Sequence, residues 1–259
     1  MMTTAKPAMS SSYSAVTVYV TETRLEFIRM LRMPTFALPA LIFPAMFYLL
    51  FGVLMAGNKP QVGAYMLATY CIFGVMGPGL FGFGVSVALE KDRGWLTWRR
   101  AVPALPGAYF ISKMAMALIF AFIIFVELAL LAATLGGVQL AASQWLLLMA
   151  VSLLSSLPFC ALGLVIGILV NGQAAPAIVN FIYLPMAFLS GLWMPISFLP
   201  KVLGDVAPIW PSYHAAQIAL KVIGADLGAP LWLHIGYLAV FTLAMVWLAV
   251  RFWARMKVR

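Results

Sequence analysis

The residues able to do chemistry are few, and their spacing limits what that chemistry could be. His214 and His234 lie in separate segments, with no HExxH pattern and no cysteine–histidine cluster, so no metal-ligand set emerges. Ser212 stands beside His214, but no carboxylate completes a nucleophilic triad, and their nearness is read as chance. Cys71 and Cys160 sit inside apolar runs and outside any CxxC spacing, as core thiols do. None of the seven lysines follows glycine or precedes Ser or Thr, so the chain has no phosphate-cradling loop of the GxxxxGK[ST] type. If ATP drives its work, another polypeptide must bind the nucleotide. One acid, Glu127, lies within an apolar run. There it is either a polar point on a substrate path or a carboxyl, protonated or not, that fixes packing.

The densest group of functional side chains runs from Glu90 to Pro106. Glu90, Lys91, Asp92 and Arg93 come first, then Gly94, then Trp95, Leu96 and Trp98, then Arg99 and Arg100, and Pro103 closes the segment. Charges followed by interfacial aromatics and a proline stop predict a short helix at a membrane surface. Snorkelling explains Arg99 and Arg100 in such a place. It does not explain why the acids Glu90 and Asp92 are there, nor the glycine that follows them.

The elements that must hold these residues follow from composition. Of the 259 residues 64% are hydrophobic and 9% charged, with a mean hydropathy of +1.04. A soluble domain carries about 25% charged residues, so the solvent of this chain is largely lipid. The net charge of +9 comes in short clusters between apolar runs, which is not the continuous basic face that nucleic acid requires. Apolar runs long enough to cross a bilayer fall at 35–57, 62–88, 108–135, 145–170, 174–194 and 232–252. Lipid satisfies no open sheet edge, so each must be helical. The fold class expected is therefore all-α, a single polytopic membrane domain with six transmembrane helices. Lys6, Arg24, Arg29 and Arg32 precede the first run. Lys91, Arg93, Arg99, Arg100 and Lys113 lie around the loop from second to third, and Arg251, Arg255, Lys257 and Arg259 follow the sixth. This distribution places both termini and that loop in the cytoplasm. The first 33 residues are polar and mixed, not a signal peptide, and the first apolar run should be retained as a span.

Four further segments stand out. Over 14–33 Val16, Val20, Phe27 and Leu31 share one helical face, with Glu22, Arg29 and Arg32 opposite, which predicts a helix lying in the membrane interface. Gly74, Gly77, Gly79, Gly82 and Gly84 with Pro78 crowd the second span, and Gly163 and Gly167 form a GxxxG pair in the fourth, both signals of close helix packing. The stretch 195–226 is too apolar for a plain loop and too broken by proline for a span, so half-helices forming a re-entrant outer hairpin are expected before the last span.

Glu90, Lys91, Asp92, Gly94 and Pro103 match the pattern E-[RK]-[ED]-x-G-(8 residues)-P, in which the chain resembles permeases of type-2 ABC (ATP-binding cassette) transporters, the exporter class. That family usually has Thr after the glycine, where this chain has Trp95. A second block, Gly191, Pro195, Pro200, Pro208 and Pro211, is similar to the family's segment after the fifth span, and the resemblance covers nearly the whole chain. It implies that 90–106 is a coupling helix seated on a separate ABC ATPase subunit, with Glu90, Lys91, Asp92, Arg93, Gly94, Arg99, Arg100 and Pro103 as the coupling residues. It implies a second permease copy, identical or not, across a shared pathway, and an outer gate at Gly191, Pro195, Pro200, Pro208 and Pro211. ATP and Mg are then expected on the ATPase and no cofactor in this chain. The cargo implied is hydrophobic or amphipathic: a drug, a natural product or a lipid. An ion-coupled secondary transporter and a membrane-embedded lipid enzyme are the alternatives. The scarcity of intramembrane ionisable groups weighs against the first, and the missing acid, base and nucleophile against the second.

Overall fold

Every regular element among the described residues is helical. The computed structural model describes residues 14–57, 59–101 and 107–255. Helix α1 (Ala15–Leu31) precedes α2 (Pro34–Phe47), which runs on through a π-helical stretch, Tyr48–Leu54. Helix α3 (Pro60–Gly79) continues through a second π stretch, Leu80–Val85, into α4 (Ser86–Asp92). Then come α5 (Trp95–Ala101), α6 (Ala108–Thr134), α7 (Ala142–Leu169) and α8 (Ala175–Leu189). Two single 3-10 turns, Ile196–Phe198 and Ala207–Ile209, flank α9 (Lys201–Val206), and α10 (Pro211–Val222) and α11 (Leu231–Arg255) complete the chain.

Among the described residues five helices are long and apolar enough to cross a membrane: Pro34–Leu54, Pro60–Asp92, Ala108–Thr134, Ala142–Leu169 and Leu231–Arg255. They fall within a few residues of five of the six expected runs. The sixth, expected at 174–194, forms only the 15-residue α8, about 22 Å of helix. Its early end has a local cause. Gly191 takes a left-handed backbone (φ 75°), so that Leu192 N–H bonds the Ala187 carbonyl and Gly191 N–H that of Phe188, a glycine-terminated helix end. A β-carbon at Gly191 would lie 2.4 Å from Ile196, so the turn tolerates no side chain there.

The continuous helix α3–α4 is the axis of the molecule, buried on nearly all sides between α2, α6, α7, α8 and α10. Its approach to α7 depends on the glycines the sequence singled out. A β-carbon on Gly163 would stand 2.7 Å from the Gly79 carbonyl oxygen, and one on Gly167 would stand 2.9 Å from that of Gly84. Backbone thus lies on backbone along a GxxxG seam, the packing that small residues permit where lipid supplies no hydrophobic drive between helices.

Helix α1 matches the expected 14–33 segment in extent but differs in how its faces are used. Val16, Val20 and Leu25 are exposed, whereas Met30 is buried and Phe27 packs on Phe120 of α6 at 5.2 Å between ring centroids. Glu26 and Arg29, both polar, turn toward the protein. The 195–226 stretch is broken as expected into two 3-10 turns, α9 and α10. Pro195, Pro200 and Trp210 each sit just before a helical turn, with Pro211 opening α10. Helix α10 is buried against α3, α7 and α11.

Replacing Gly163 with valine is expected to push α7 off Gly79 and Leu80 and cost about 1–3 kcal/mol of stability. Denaturation in mixed micelles would show it, and an unchanged transition would mean that the seam yields without cost.

Candidate functional site

The end of α4 is where the sequence concentrates its charge, and each residue there holds a different neighbour. Glu90 is 7% exposed. Its Oε1 accepts from Arg29 Nη1 of α1 at 2.5 Å and from Lys113 Nζ of α6 at 3.0 Å. Its Oε2 accepts from the Tyr109 hydroxyl at 2.5 Å. Lys113 is fully buried and also donates to Glu26 Oε1 of α1 at 2.5 Å and to Ser86 Oγ at 2.7 Å. Arg29 Nη2 closes the ring by reaching Glu26 Oε1 at 2.6 Å. Two carboxylates and two cations therefore share one cluster that joins α1, α4 and α6. The guanidinium of Arg29 loses hydration there, but Glu90 and then Glu26 more than compensate and hold it charged.

Lys91 turns the other way. Its Nζ donates to the carbonyls of Ile168 at 2.8 Å and Val170 at 2.7 Å, with Gly167 at 3.4 Å. These are the unpaired carbonyls at the C-terminal end of α7, where a cation also meets the negative end of the helix dipole. Asp92 accepts from the Gly172 N–H at 2.6 Å and so pins the turn between α7 and α8. Gly94 has φ 74°, which ends α4 and lets α5 start at the next residue, and nothing stands near where its β-carbon would be. On α5 Leu96 is buried against Phe83, Val87 and Ala117, while Trp95 and Trp98 are exposed. Arg99 and Arg100 fall in the last turns of α5. Pro103 lies outside the described residues, as do Lys6, Lys257 and Arg259.

Beside this charged end opens a cavity of about 760 Å³ between α1, α2, the α3–α4 helix and α8. Arg29, Ser86, Glu90 and Arg93 line one region of it, and Trp95 reaches it from α5. The rest is largely aromatic, with Phe47, Phe73, Phe81, Tyr183 and Trp193 among the lining residues. Phe47 and Trp193 stack at 5.7 Å, and Phe73 and Tyr183 at 5.4 Å. A mostly apolar chamber with a few convergent polar groups has the form of a ligand site. Glu127 is not among its lining residues. It lies part-exposed on α6 and, among the described residues, makes no hydrogen bond or ion pair.

Sequence reasoning counted Lys113 only as a flanking positive charge and passed over Glu26, Ser86 and Tyr109. It also set the two histidines apart. The structure brings His214 and His234 into contact, Nδ1 to Nδ1 at 2.9 Å, at the start of α11.

The long apolar helices define a multi-pass membrane protein, with a partly open cavity beside its tied charged end. Residues 17–224 match the family described as ABC-2 type transporter, and the chain belongs to that family. It is 28% identical over 225 residues to the protein named "Putative transport permease YvfS" of Bacillus subtilis (strain 168), covering 84% of this chain and 91% of that protein. The chain is thus a membrane transport permease.

Replacing Lys91 with methionine is expected to leave the α7 carbonyls unpaired and cost about 1–2 kcal/mol. Hydrogen exchange would register it as faster exchange in the last turn of α7, and unchanged exchange there would remove Lys91 from the tie.

Proposed function

We propose that the chain is the membrane-spanning permease subunit of an ATP-driven exporter, paired with a second permease copy and powered by a separate ABC ATPase. The observation that carries this reading is the end of α4. One helical turn holds α1, α6 and α7 at once, and directly beyond it α5 presents Trp95 and Trp98 outward. Exposed tryptophans on a short helix suit the centre of a protein interface. A push on α5 would pass through Glu90, Lys91 and Asp92 into three helices together, which is what rigid-body gating requires. In this arrangement Glu90 acts by holding helices and not by touching the ATPase.

The chamber supports an amphipathic cargo. Its charged region suits a polar head, its aromatic region suits an apolar body, and its volume suits a small drug, natural product or lipid. The path is assigned to this chamber and not to Glu127. In the topology that goes with this reading α8 is a sixth, short crossing. The 195–226 segment dips into the outer leaflet as the exit gate, with Gly191, Pro195, Pro200, Pro208 and Pro211 shaping it, and both termini are cytoplasmic in the inner membrane. The ATPase carries ATP and Mg.

The test is reconstitution with the co-purifying ATPase in vesicles containing a fluorescent amphipathic lipid. The Gly94→Trp variant, which forces a side chain into a left-handed backbone, is expected to insert normally and still hydrolyse ATP but to move the lipid at least tenfold more slowly. Normal ATP-driven export by this variant would defeat the coupling assignment, and export with no nucleotide-hydrolysing partner would defeat the whole reading. Glu127→Gln is expected to export at the wild-type rate at equal expression, whereas a loss of transport without loss of folding would return Glu127 to the path.

A further inference from the structure

The histidine pair belongs neither to the charged tie nor to the chamber. His214 is the fourth residue of α10 and His234 the fourth of α11, and both are buried, at 3% and 1% exposure. They stand at the end of the bundle opposite the Glu90 cluster. Trp253, which packs on Phe110 next to the Tyr109 partner of Glu90, lies about 28 Å farther along α11.

The hydrogen bonds fix where the protons are. His214 Nε2 lies 2.9 Å from the Pro208 carbonyl oxygen, which only accepts, so this nitrogen carries the hydrogen. In a neutral ring the Nδ1 of His214 is then a bare lone pair, and the His234 Nδ1 facing it at 2.9 Å must be the donor. That leaves His234 Nε2 bare as well, and it is buried with no hydrogen-bond partner. The two rings thus occupy opposite tautomers, a state that holds only while both are neutral. A proton on His214 Nδ1 would set two N–H groups against each other, or force the His234 hydrogen onto Nε2, where no acceptor meets it. A proton on His234 Nε2 would create a buried charge whose N–H meets no acceptor.

We propose that His214 and His234 form a proton-operated latch that fastens α10 to the last span while both are neutral and releases it when the surrounding pH falls. Its placement on the outer side rests on the topology proposed above, but its chemistry does not.

The surroundings sharpen the effect. Tyr237 of α11 stacks on His214 at 3.9 Å and donates its hydroxyl to the Ile209 carbonyl, so the rings also hold the 3-10 turn before α10. Tyr213 meets both histidines edge-on. The nearest charges are Lys221 of α10 and Asp226 of the following turn, paired with each other at 2.5 Å. Lys201 and Asp205 lie on α9. Tyr65, Tyr70 and Cys71 on α3, Cys160 on α7, and Arg251 and Arg255 at the far end of α11 are the other titratable groups on helices packed against α10. None of these is a free carboxylate placed to stabilise an imidazolium in the pair. Burial pushes the His214 imidazole below its ordinary range, although the Pro208 carbonyl pulls the other way. The sign follows. The fastened state binds fewer protons than the released one, so it is fully favoured above about pH 6.5, the ordinary histidine value, and is lost as pH falls below it.

The sequence contains two histidines, both in the pair, so nitrogen-15 histidine labelling of a chain purified without a polyhistidine tag reports on nothing else. In lipid at pH 8 the expected spectrum shows one ring protonated at Nε2 and the other at Nδ1, and both become imidazolium over one shared interval on acidification. Two rings both protonated at Nε2 at pH 8, or two independent titrations at the ordinary value, would overturn the latch. Amide exchange then reads the release. After correction for the intrinsic rate, exchange over Pro211–Val222 is expected to quicken at least tenfold from pH 7.5 to pH 5 in the wild type and not in His234→Phe. Equal protection at both pH values, or the same quickening in the variant, would contradict it.

Discussion

Four charged side chains gathered at the end of one helix, Glu90 and Lys113 buried and Glu26 and Arg29 partly so, are the constraint on which the rest of this molecule depends. Glu26, Arg29, Glu90 and Lys113 balance to zero, and each has an opposite charge within 3.0 Å. Removing Glu90 or Lys113 from such a cluster strands the other in a medium that hydrates it poorly, which costs several kcal/mol, although the intact cluster adds little net stability over apolar packing. What it supplies is geometry. Helix α1, the central helix and α6 meet in a register that gives all four groups an opposite charge.

The same turn of α4 serves two further purposes. Lys91 and Asp92 extend the tie to the end of α7 and the turn before α8, so four helices and one loop are indexed to three consecutive residues. Glu90 and Arg29 are also part of the chamber wall, together with Ser86 and Arg93. A displacement of this turn therefore changes the shape of the chamber directly, with no chain of intermediaries. Above it, the glycine seam keeps α3 and α7 backbone to backbone, and the two π-helical stretches relax the helical ladder near Pro44 and Pro78, where proline withholds a donor.

Much of the fold was legible in the sequence because lipid imposes a simple rule on it. Runs of apolar residues announced five spans nearly to their ends, and the Gly163–Gly167 spacing announced the seam. The sixth run forms a shorter helix than its hydropathy suggests, because hydropathy does not register backbone conformation. Leu192 and Trp193 read as membrane residues, but Gly191 had already ended the helix. In α1 the pattern announced the helix but assigned its polar face to solvent. The partners that draw Glu26 and Arg29 inward, Lys113 and Glu90, are 87 and 61 residues away in the chain, and nothing in a single sequence pairs them. Lys113 was hidden in the same way, since a lysine flanking a span ordinarily snorkels. The histidines were discounted for their separation, and only the return of α11 against α10 joins them. Residues 90–94 drew attention for the right oddity, acids at a basic membrane edge, while their several separate partners emerged only from the packing.

The central claim is that Glu90 and Lys113 act as one unit joining α4 to α6, and a double-mutant cycle measures that most directly. Stability of Glu90→Gln, Lys113→Met and the double variant should be determined in the same detergent or nanodisc. The account predicts that each single change costs about 3–5 kcal/mol, because it leaves a buried charge unpaired, and that the double change costs well under the sum. Strict additivity of the two losses would contradict it, for then the two side chains would be neighbours without being a tie.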